Sequence, residues 1–419
     1  MSIAPQPSLS FGARDTYQLD SAGHALRLTT RRDGRVVTCR LPLDGVGPLD
    51  DPAATFDAAW LRAQAPPDRV GPALGVVRIV DLFSGCGAMS LGASDAALAL
   101  GLEAEHVLAV DIDAKAVAAY AHNFPEVDGR CISAAELLDS PLGAPPSASE
   151  RALAESVGAI DLLIGGPPCQ GHSDLNNHTR RNDPKNALYL TMARFAEVVR
   201  PRAILIENVP GARHDKSGVV GRTRRCLKRL GYSVSSGVLD AAAQGVAQRR
   251  KRFLLAASLD HRVSMDAIQP RVAVERPLEF AISDLVDVKG DTTYDSWAVH
   301  SATNRARIQY LFEHDLYNLP NAQRPACHRD KPHSYVSVYG RMHWDRPAQT
   351  LTTGFGSTGR GRFVHPLRPR TLTPHEAARV QFIPDFFRFE EKGRWALQVM
   401  VGNAVPPRLA YAAALELLA

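Results

Sequence analysis

The sequence between residues 75 and 87 reads Gly75-Val76-Val77-Arg78-Ile79-Val80-Asp81-Leu82-Phe83-Ser84-Gly85-Cys86-Gly87. Its first nine residues are mostly apolar and predict a buried strand, and the last four predict a glycine-rich turn. A run rich in Ala and Leu follows, which favours a helix. A strand, a glycine turn and a helix in this order predict the first unit of an α/β sheet.

Four later segments are short and apolar enough to be further buried strands, and they alternate with helix-compatible runs. They are residues 106–110, 159–164, 203–206 and 252–257. This alternation predicts an α/β fold with a doubly wound, mostly parallel sheet. Ligands bind such sheets beyond the carboxyl ends of the strands, so the residues that directly follow each strand are the candidates for function.

The rest of the chain differs in character from this α/β core. Short alternating runs at residues 24–28 and 35–38 flank Asp33-Gly34 and predict a hairpin. We expect this region to be an N-terminal appendage of unknown role, whereas the alternation of strands and helices is lost after about residue 262. The expected units are 1–75 as the extension, 76–265 as the main domain, 266–394 as a smaller domain and 395–419 as a helical return to the main domain.

Length and composition exclude several classes of protein. The chain has 419 residues, of which 45% are hydrophobic and 22% charged, so it is not disordered throughout. It contains neither an apolar run long enough for a membrane span nor a secretory signal pattern near residue 1. The net charge is only +5, but residues 178–252 hold 17 basic against 5 acidic residues. Such a segment suits a polyanion such as nucleic acid, and a solvated basic surface is the alternative.

The cysteines indicate a reducing compartment. Six are scattered without a C-x-x-C pair, so the pattern supports neither a zinc site nor a disulfide framework. We therefore expect a cytoplasmic protein without a metal site.

The turns after the first two strands predict a cofactor site. Gly85 and Gly87 allow a ligand to approach the backbone, and Asp111, at the end of the second strand, can accept hydrogen bonds from ribose hydroxyls. Together they indicate a cofactor that contains a nucleoside, with a simple tight connection as the alternative for the turn alone. The next glycine is Gly92, so the motif is not G-x-G-x-x-G, which argues against a dinucleotide.

Two reactive side chains follow the third and fourth strands. The stiff turn of residues 165–168, Gly-Gly-Pro-Pro, presents Cys169 at the rim of the sheet, where a nucleophile is favoured over a structural cysteine. Glu207 ends the neighbouring strand and can face Cys169. Burial would raise the pKa of Glu207 and let it act as an acid. A lone glutamate there would otherwise be a surface charge or a neighbour of a helix N-cap.

The basic run Gln248-Arg249-Arg250-Lys251-Arg252 precedes the last predicted strand. Alternate residues of an extended segment point the same way, so Arg250 and Arg252 are expected to share one face. That face can line the site while the other meets phosphates; a solvated basic run is the alternative.

These motifs resemble, in order and spacing, those of the DNA (cytosine-5) methyltransferases of bacterial type. The matching blocks are Asp81-Leu82-Phe83-x-Gly85-x-Gly87, Pro167-Pro168-Cys169-Gln170, Glu207-Asn208-Val209, Gln248-x-Arg250-x-Arg252, residues 370–384, and Gly402-Asn403-Ala404-Val405-Pro406-Pro407. The resemblance covers residues 76–419. It implies the fold of the S-adenosylmethionine-dependent methyltransferases, with 76–265 as the catalytic domain and 266–394 as the target-recognition domain.

The resemblance also implies the reaction. A methyl group would pass from S-adenosylmethionine to C5 of a cytosine in duplex DNA after Cys169 adds to C6 of the ring. Glu207 would hydrogen-bond N3 and the amino edge, and Arg250 and Arg252 would stabilise charge near the cysteine and the O2 carbonyl. The target base would leave the duplex by base flipping, at a cost of roughly a few kcal/mol.

Contacts with the cofactor and with DNA follow from the same resemblance. The expected cofactor contacts are Phe83, Gly85, Gly87, Asp111, Ile112, Ile132, Asn403, Ala404 and Val405. The expected DNA contacts are His172, Arg180, Arg181, Lys185 and Gln248, most of them in a loop that would close on DNA. The region 266–394 would read base edges.

Three residues depart from the family pattern. Ala88 stands in place of a third glycine, and His172 stands in place of an aromatic residue. Cys131-Ile132 replaces an Asp-Ile pair, so one hydrogen bond to the adenine amino group is missing or comes from another residue. None of the three touches the central chemistry.

Three rival functions fit the sequence less well. An RNA cytosine methyltransferase of the same fold would carry a Cys-Phe-Thr signature, which this sequence lacks. A non-catalytic DNA-binding homologue would usually have lost Cys169, Glu207 or Arg250. A nicotinamide oxidoreductase would leave Pro-Pro-Cys-Gln and Gln-x-Arg-x-Arg without a role.

The resemblance further implies the partners. They are duplex DNA and, by functional pairing rather than contact, a restriction endonuclease; no membrane is implied. A monomer associated with the nucleoid is expected.

Overall fold

The computed structural model describes residues 12–168, 188–214, 218–330 and 337–419. Within these ranges no helix is long and apolar enough to cross a membrane.

An antiparallel sheet precedes the main domain. Its strands are β1 (Arg14–Leu19), β2 (His24–Thr30), β3 (Val36–Pro42) and β4 (Asp68–Val70), in the order β1-β2-β3-β4, and α1 (Pro52–Arg62) lies between β3 and β4. The predicted hairpin is confirmed, because β2 pairs antiparallel with β3. Neither β1 nor β4 was predicted.

The central sheet has seven strands in the described residues, in the order β10-β11-β9-β8-β5-β6-β7. The strands are β5 (Gly75–Leu82), β6 (Leu102–Asp111), β7 (Asp128–Cys131), β8 (Leu162–Gly165), β9 (Ala203–Asn208), β10 (Ser233–Asp240) and β11 (Lys251–Ser258). Four neighbouring pairs are parallel, and the two pairs that involve β11 are antiparallel. The prediction of a mostly parallel α/β sheet is therefore confirmed.

Helices cover both faces of this sheet, which makes it doubly wound. The α-helices of the described residues that follow the N-terminal sheet are α2 (Ala88–Ala99), α3 (Ala114–Asn123), α4 (Ala134–Leu137), α5 (Ala148–Val157), α6 (Tyr189–Val198), α7 (Val219–Arg229), α8 (Leu278–Ile282), α9 (Ala302–Glu313), α10 (Pro374–Val380), α11 (Arg394–Asn403) and α12 (Pro407–Leu418). Helices α2 and α12 belong to one hydrophobic core, and α5, α6 and α7 belong to a second. A small third core of Ile308, Leu311, Leu319 and Val364 lies in the region predicted to form the smaller domain.

The contact between α2 and α12 is unusually close. A side-chain carbon at Gly92 would lie 2.1 Å from the carbonyl oxygen of Pro407, so only glycine fits at this position of α2. The motif residues 403–407 are thereby held against the helix that follows the glycine turn.

The N-terminal sheet and α1 are packed against the rest of the molecule through buried ion pairs. Arg27 on β2 is fully buried and pairs with Asp95 on α2, with Nη2 and Oδ1 2.7 Å apart. Asp57 on α1 is also fully buried and is paired with Arg271, Arg276 and Arg408. Burial alone would raise the pKa of Asp57, but the three guanidinium groups outweigh it and hold that pKa well below its usual range.

Candidate active site

The turn that leads to Cys169 lies beside Glu207 at the rim of the sheet. Strand β8 ends at Gly165, and a side-chain carbon at Gly166 would lie 3.2 Å from Oε2 of Glu207. Asn208 Nδ2 donates a hydrogen bond to the carbonyl oxygen of Pro167 at 3.2 Å, which anchors the turn to β9. Cys169 itself lies outside the described residues. Gly166, which precedes Cys169 by three residues, nevertheless lies beside Glu207.

Glu207 is buried and paired with a cation. Its side chain is 11% exposed, and its Oε1 lies 2.7 Å from Nε of Arg252. Burial raises the pKa of Glu207, and the charges of Arg252 and Arg250 partly oppose that rise. A carboxyl group in this state can hold a proton at a higher pH than an exposed glutamate, which suits a general acid.

The charges of Arg250 and Arg252 both lower the pKa of Glu207, as expected if these alternate residues of an extended segment face the same side. Arg250 has a second set of contacts in addition. Its Nη1 donates to the carbonyl oxygen of Leu351 at 2.7 Å, and its Nη2 donates to those of Gly402 and Ala404 at 3.2 and 3.0 Å. Arg250 therefore joins the acid side of the site to the segment that contains Asn403, Ala404 and Val405.

Gln248 does not take the position expected for a DNA contact. It is fully buried, and its Oε1 accepts a hydrogen bond from the Leu351 N–H at 2.8 Å. Its Nε2 donates to Gln381 Oε1 at 2.7 Å, and Gln381 in turn donates to the carbonyl oxygen of Val401. A side chain enclosed in this way cannot reach a duplex, so the expectation for Gln248 is corrected: it supports the cofactor segment from inside the protein.

The two turns predicted to bind a cofactor are joined directly. Asp111 Oδ2 accepts a hydrogen bond from the Gly85 N–H at 2.8 Å, and Oδ1 accepts one from the Asp113 N–H at 3.0 Å. Gly85 and Gly87 have φ angles of +52° and +95°, which favour glycine. Apart from its neighbours in sequence, no atom of the described residues lies within 4 Å of a side-chain carbon placed on Gly85, so this turn is open on the described part of the molecule.

The remaining expected cofactor residues lie around these turns. Phe83 is half-buried with φ +61°, and Ile112 is 76% exposed directly after Asp111. Ile132 is half-buried and follows Cys131, whose Sγ lies 3.6 Å from the carbonyl oxygen of Ile112. Asn403 is exposed at the end of α11, whereas Ala404 and Val405 are buried. An exposed isoleucine therefore lies directly beside a carboxylate that two backbone N–H groups orient.

Sequence reasoning missed two supporting residues. Asn208 belongs to the Glu207-Asn208-Val209 motif, but only the structure shows that its side chain anchors Pro167. Tyr120 on α3 belongs to no motif, yet its ring lies against the glycine turn, where a side-chain carbon on Gly87 would lie 2.9 Å from Cδ2 of Tyr120. Four expected DNA contacts lie outside the described residues: His172, Arg180, Arg181 and Lys185.

Comparisons with known proteins agree with this site. The family model "C-5 cytosine-specific DNA methylase" matches residues 77–419. The chain is 46% identical to the type II methyltransferase M1.BsuMI of Bacillus subtilis (strain 168), over 94% of this chain and 92% of that protein. It is 30% identical to the type II methylase M.HgiDII of Herpetosiphon aurantiacus, over 79% and 92% of the two chains.

A solved structure supports the fold. The S. pombe Dnmt2 methyltransferase matches with a TM-score of 0.57 at 17% identity, over 82% of this chain and 98% of that one. At that identity the likeness concerns the fold alone. The family match over more than four fifths of the chain, together with the identity to M1.BsuMI, shows that the chain belongs to the C-5 cytosine-specific DNA methylases and is a DNA (cytosine-5) methyltransferase.

Proposed function

We propose that the protein methylates C5 of a flipped cytosine in duplex DNA through a covalent bond between Cys169 and C6. One observation carries this mechanism: the buried Glu207–Arg252 pair lies beside the turn that leads directly to Cys169. An acid and a nucleophile at one rim match a reaction in which a cytosine ring is protonated on one edge and attacked at C6.

The chain's own residues perform the following steps. The Cys169 thiolate forms a bond to C6, and the electron density that develops at N3 is stabilised by a hydrogen bond or a proton from Glu207. Arg252 keeps the Glu207 carboxyl oriented and bears part of the developing charge. After C5 has been methylated, a base removes the C5 proton, the bond between C6 and sulfur breaks, and the thiolate leaves. We propose that this base is water.

The methyl group would be supplied by S-adenosylmethionine. We propose that it is held by the nine residues named above: Phe83, Gly85, Gly87, Asp111, Ile112, Ile132, Asn403, Ala404 and Val405. The donor set suits an adenosine, because Asp111 is fixed by two backbone N–H groups and the Gly85 turn is open.

We further propose that His172, Arg180, Arg181 and Lys185 contact the DNA and that residues 266–394 recognise its sequence. The relatives M1.BsuMI and M.HgiDII are named as type II enzymes, and on that ground we propose a functional pairing with a restriction endonuclease. We also propose that the enzyme acts as a monomer on the DNA of the nucleoid.

The test is transfer of radiolabelled methyl groups from S-adenosylmethionine to duplex DNA of mixed sequence, with total RNA as a parallel substrate. We expect label in DNA as 5-methylcytosine, and bisulfite sequencing of the product to give one short target sequence. Label in RNA alone would contradict the proposal and support an RNA methyltransferase. Label at cytosines of every context would contradict sequence recognition by residues 266–394.

Arg252→Gln is expected to lower the single-turnover rate about 100-fold and to move the alkaline limb of its pH profile upwards. Arg252 is the strongest of the groups that lower the pKa of Glu207, so its loss lets burial raise that pKa further. An acid with a higher pKa keeps its proton to higher pH, which gives the direction of the shift. The measurement is the rate of methyl transfer from preformed complexes between pH 6 and 10.

Arg252→Lys is the matched control, since it retains the positive charge. Its alkaline limb is expected to stay within a few tenths of a pH unit of the wild type, although its rate falls with the loss of the Nε contact. A limb that moves to lower pH in Arg252→Gln would contradict the role of Glu207 as an acid.

A further inference from the structure

A continuous chain of buried hydrogen bonds runs beneath the cofactor turn. Ser90 Oγ donates to Asp81 Oδ2 at 2.7 Å and lies 2.6 Å from the Tyr120 hydroxyl. The Tyr120 hydroxyl lies 2.9 Å from His106 Nδ1, and His106 Nε2 lies 2.8 Å from Ser94 Oγ. Ser90, Tyr120 and His106, the three middle members of this hydrogen-bond chain, are each at most 6% exposed.

The chain connects the elements that carry the expected cofactor residues. Asp81 lies on β5, two residues before Phe83, and His106 lies on β6, five residues before Asp111. Ser90 and Ser94 lie on α2, and Tyr120 lies on α3 with its ring against Gly87. The hydroxyl of Tyr120 thus ties α3 to β6 and α2, and the same residue's ring supports the glycine turn.

The far end of the hydrogen-bond chain reaches a cavity that Glu207 does not line. Ser94 and His106 line a cavity of about 690 Å³ between the N-terminal sheet, α2 and the segment around Phe386. Ser94 is half-buried, whereas Ser90, the other serine of the hydrogen-bond chain, is fully buried. Water in this cavity can therefore exchange protons with Ser94, whereas Asp81 is 1% exposed.

The protons of the chain can be arranged in one consistent direction when Asp81 is ionised. Ser94 then donates to His106 Nε2, His106 Nδ1–H donates to Tyr120, Tyr120 donates to Ser90, and Ser90 donates to Asp81. His106 must be neutral for this, and burial supports that state by lowering its pKa to about 3. In this arrangement each of the four hydrogen bonds has one donor and one acceptor.

The reverse direction is equally consistent when Asp81 is protonated. A proton taken up by Ser94 from the cavity releases the original Ser94 proton to His106 Nε2, and His106 passes its Nδ1 proton to Tyr120. Tyr120 passes its proton to Ser90, and Ser90 passes its own to Asp81. One proton enters at Ser94 and one arrives at Asp81, while His106 changes from the Nδ1–H to the Nε2–H tautomer.

The groups around Asp81 place this change near neutral pH. Burial raises the pKa of Asp81 to about 8, opposed by the Ser90 hydrogen bond and reinforced by the charge of Asp111. Burial also raises the pKa of Cys86 to about 12 and that of Tyr120 well above its usual value, so neither ionises in this range. Among these groups, Asp81 is therefore the one whose pKa, raised by burial to about 8, lies closest to neutral pH.

We propose that Tyr120 and His106 are positioning residues for the cofactor, and that they form a reversible proton chain from the cavity to Asp81 under the cofactor turn. The positioning part rests on the cofactor site proposed above. The chain itself rests on the hydrogen bonds alone, so the two can fail separately.

The test reads the tautomer of His106 by ¹⁵N NMR in the full-length protein without DNA, with the His106→Gln variant used to assign its signals. In the wild type we expect the Nε2–H tautomer at pH 6.5 and the Nδ1–H tautomer at pH 9.5. Asp81→Asn can donate to Ser90 at every pH, so it is expected to keep the Nε2–H tautomer throughout. Tyr120→Phe interrupts the chain, and its His106 tautomer is expected not to change with pH.

The positioning role is read as the dissociation constant of S-adenosylmethionine by calorimetry. Tyr120→Phe keeps the ring against Gly87 and removes the hydroxyl, and we expect about tenfold weaker binding. The control is Tyr232→Phe, because Tyr232 is also buried and its hydroxyl donates to the carbonyl oxygen of Pro201 at 2.5 Å, far from these turns. We expect its cofactor affinity to stay within twofold of the wild type.

A His106 tautomer that is the same at pH 6.5 and 9.5 in the wild type would overturn the proton chain. So would a tautomer change that survives in Tyr120→Phe. Equal cofactor affinities of Tyr120→Phe and Tyr232→Phe would overturn the positioning role. The tautomer measurement needs neither DNA nor methyl transfer, so its failure is distinguishable from failure of the proposed reaction.

Discussion

The Cys169→Ala variant is expected to transfer methyl groups to duplex DNA at least about 10⁴-fold more slowly than the wild type. Cytosine C5 is a poor nucleophile until a group adds at C6, and alanine provides none. The proposed cofactor residues lie in the turn after β5, at the end of β6, directly after β7 and around the end of α11, and none of them is next to Cys169 in the sequence. The affinity for S-adenosylmethionine is therefore expected to stay within about twofold. The measurements are single-turnover methyl transfer and cofactor binding by calorimetry.

A covalent intermediate can be trapped with DNA that contains 5-fluorocytosine. Fluorine at C5 cannot be removed as a proton, so the bond between Cys169 and C6 persists after methylation. A protein–DNA species that survives denaturation is expected for the wild type and for Cys327→Ala, which replaces an exposed cysteine elsewhere. The same species in Cys169→Ala would contradict the assignment of the nucleophile.

The Asp57→Ala variant is expected to lose about 3–5 kcal/mol of unfolding free energy. Removal of this carboxylate leaves the guanidinium groups of Arg271, Arg276 and Arg408 buried around a site without their shared counter-charge. A typical domain has only about 5–15 kcal/mol of stability, so the loss is a large part of the total. Urea denaturation, followed by far-ultraviolet circular dichroism at pH 7.5, measures it.

The exposed ion pair on the same N-terminal sheet provides the control. Asp68 is 68% exposed and its Oδ2 lies 3.7 Å from Nε of Arg40, so Asp68→Ala is expected to cost less than about 1 kcal/mol. A loss of similar size in both variants would contradict the view that the buried ion pairs of Asp57 hold α1 against the segments that carry Arg271, Arg276 and Arg408. Because the pKa of Asp57 is depressed, the contribution of its ion pairs is present above pH 4 and is lost as the pH falls below it.

The strands that could be predicted are those buried on both faces. The segments that became β5, β6, β8, β9 and β11 are continuous apolar runs, and such runs identify central strands. Strand β7, with the sequence Asp128-Gly129-Arg130-Cys131, and the serine-rich β10 lie at the two edges of the sheet. Edge strands need no apolar run, so their sequences carried no comparable signal.

The site could be predicted where its residues directly follow strands. The sequence predicted that Glu207, Asp111 and the glycine turn would lie at the ends of strands, and the structure joins Gly85 to Asp111. The resemblance placed Gln248 on the DNA, but the resemblance does not show its buried partners, Leu351 and Gln381. Those partners are more than 100 residues away, and no local pattern indicates such contacts.

Asp57 illustrates the same limit. Its three arginine partners are 214 to 351 residues away along the chain. Nothing near Asp57 distinguishes it from the exposed acids of the N-terminal region. Only the packing of α1 against α12 and the segment after β11 reveals its role.

The close contact of Gly92 with Pro407 has a consequence for biosynthesis. Helix α2 is made early during translation, yet the helix that packs on it is completed more than 300 residues later. During translation, the glycine turn after β5 is therefore made long before residues 403–405. The apolar face of α2 stays exposed until α12 has been made. Contacts of such large sequence separation slow folding and prolong the exposure of apolar surface, which makes the unfinished chain a natural client for chaperones.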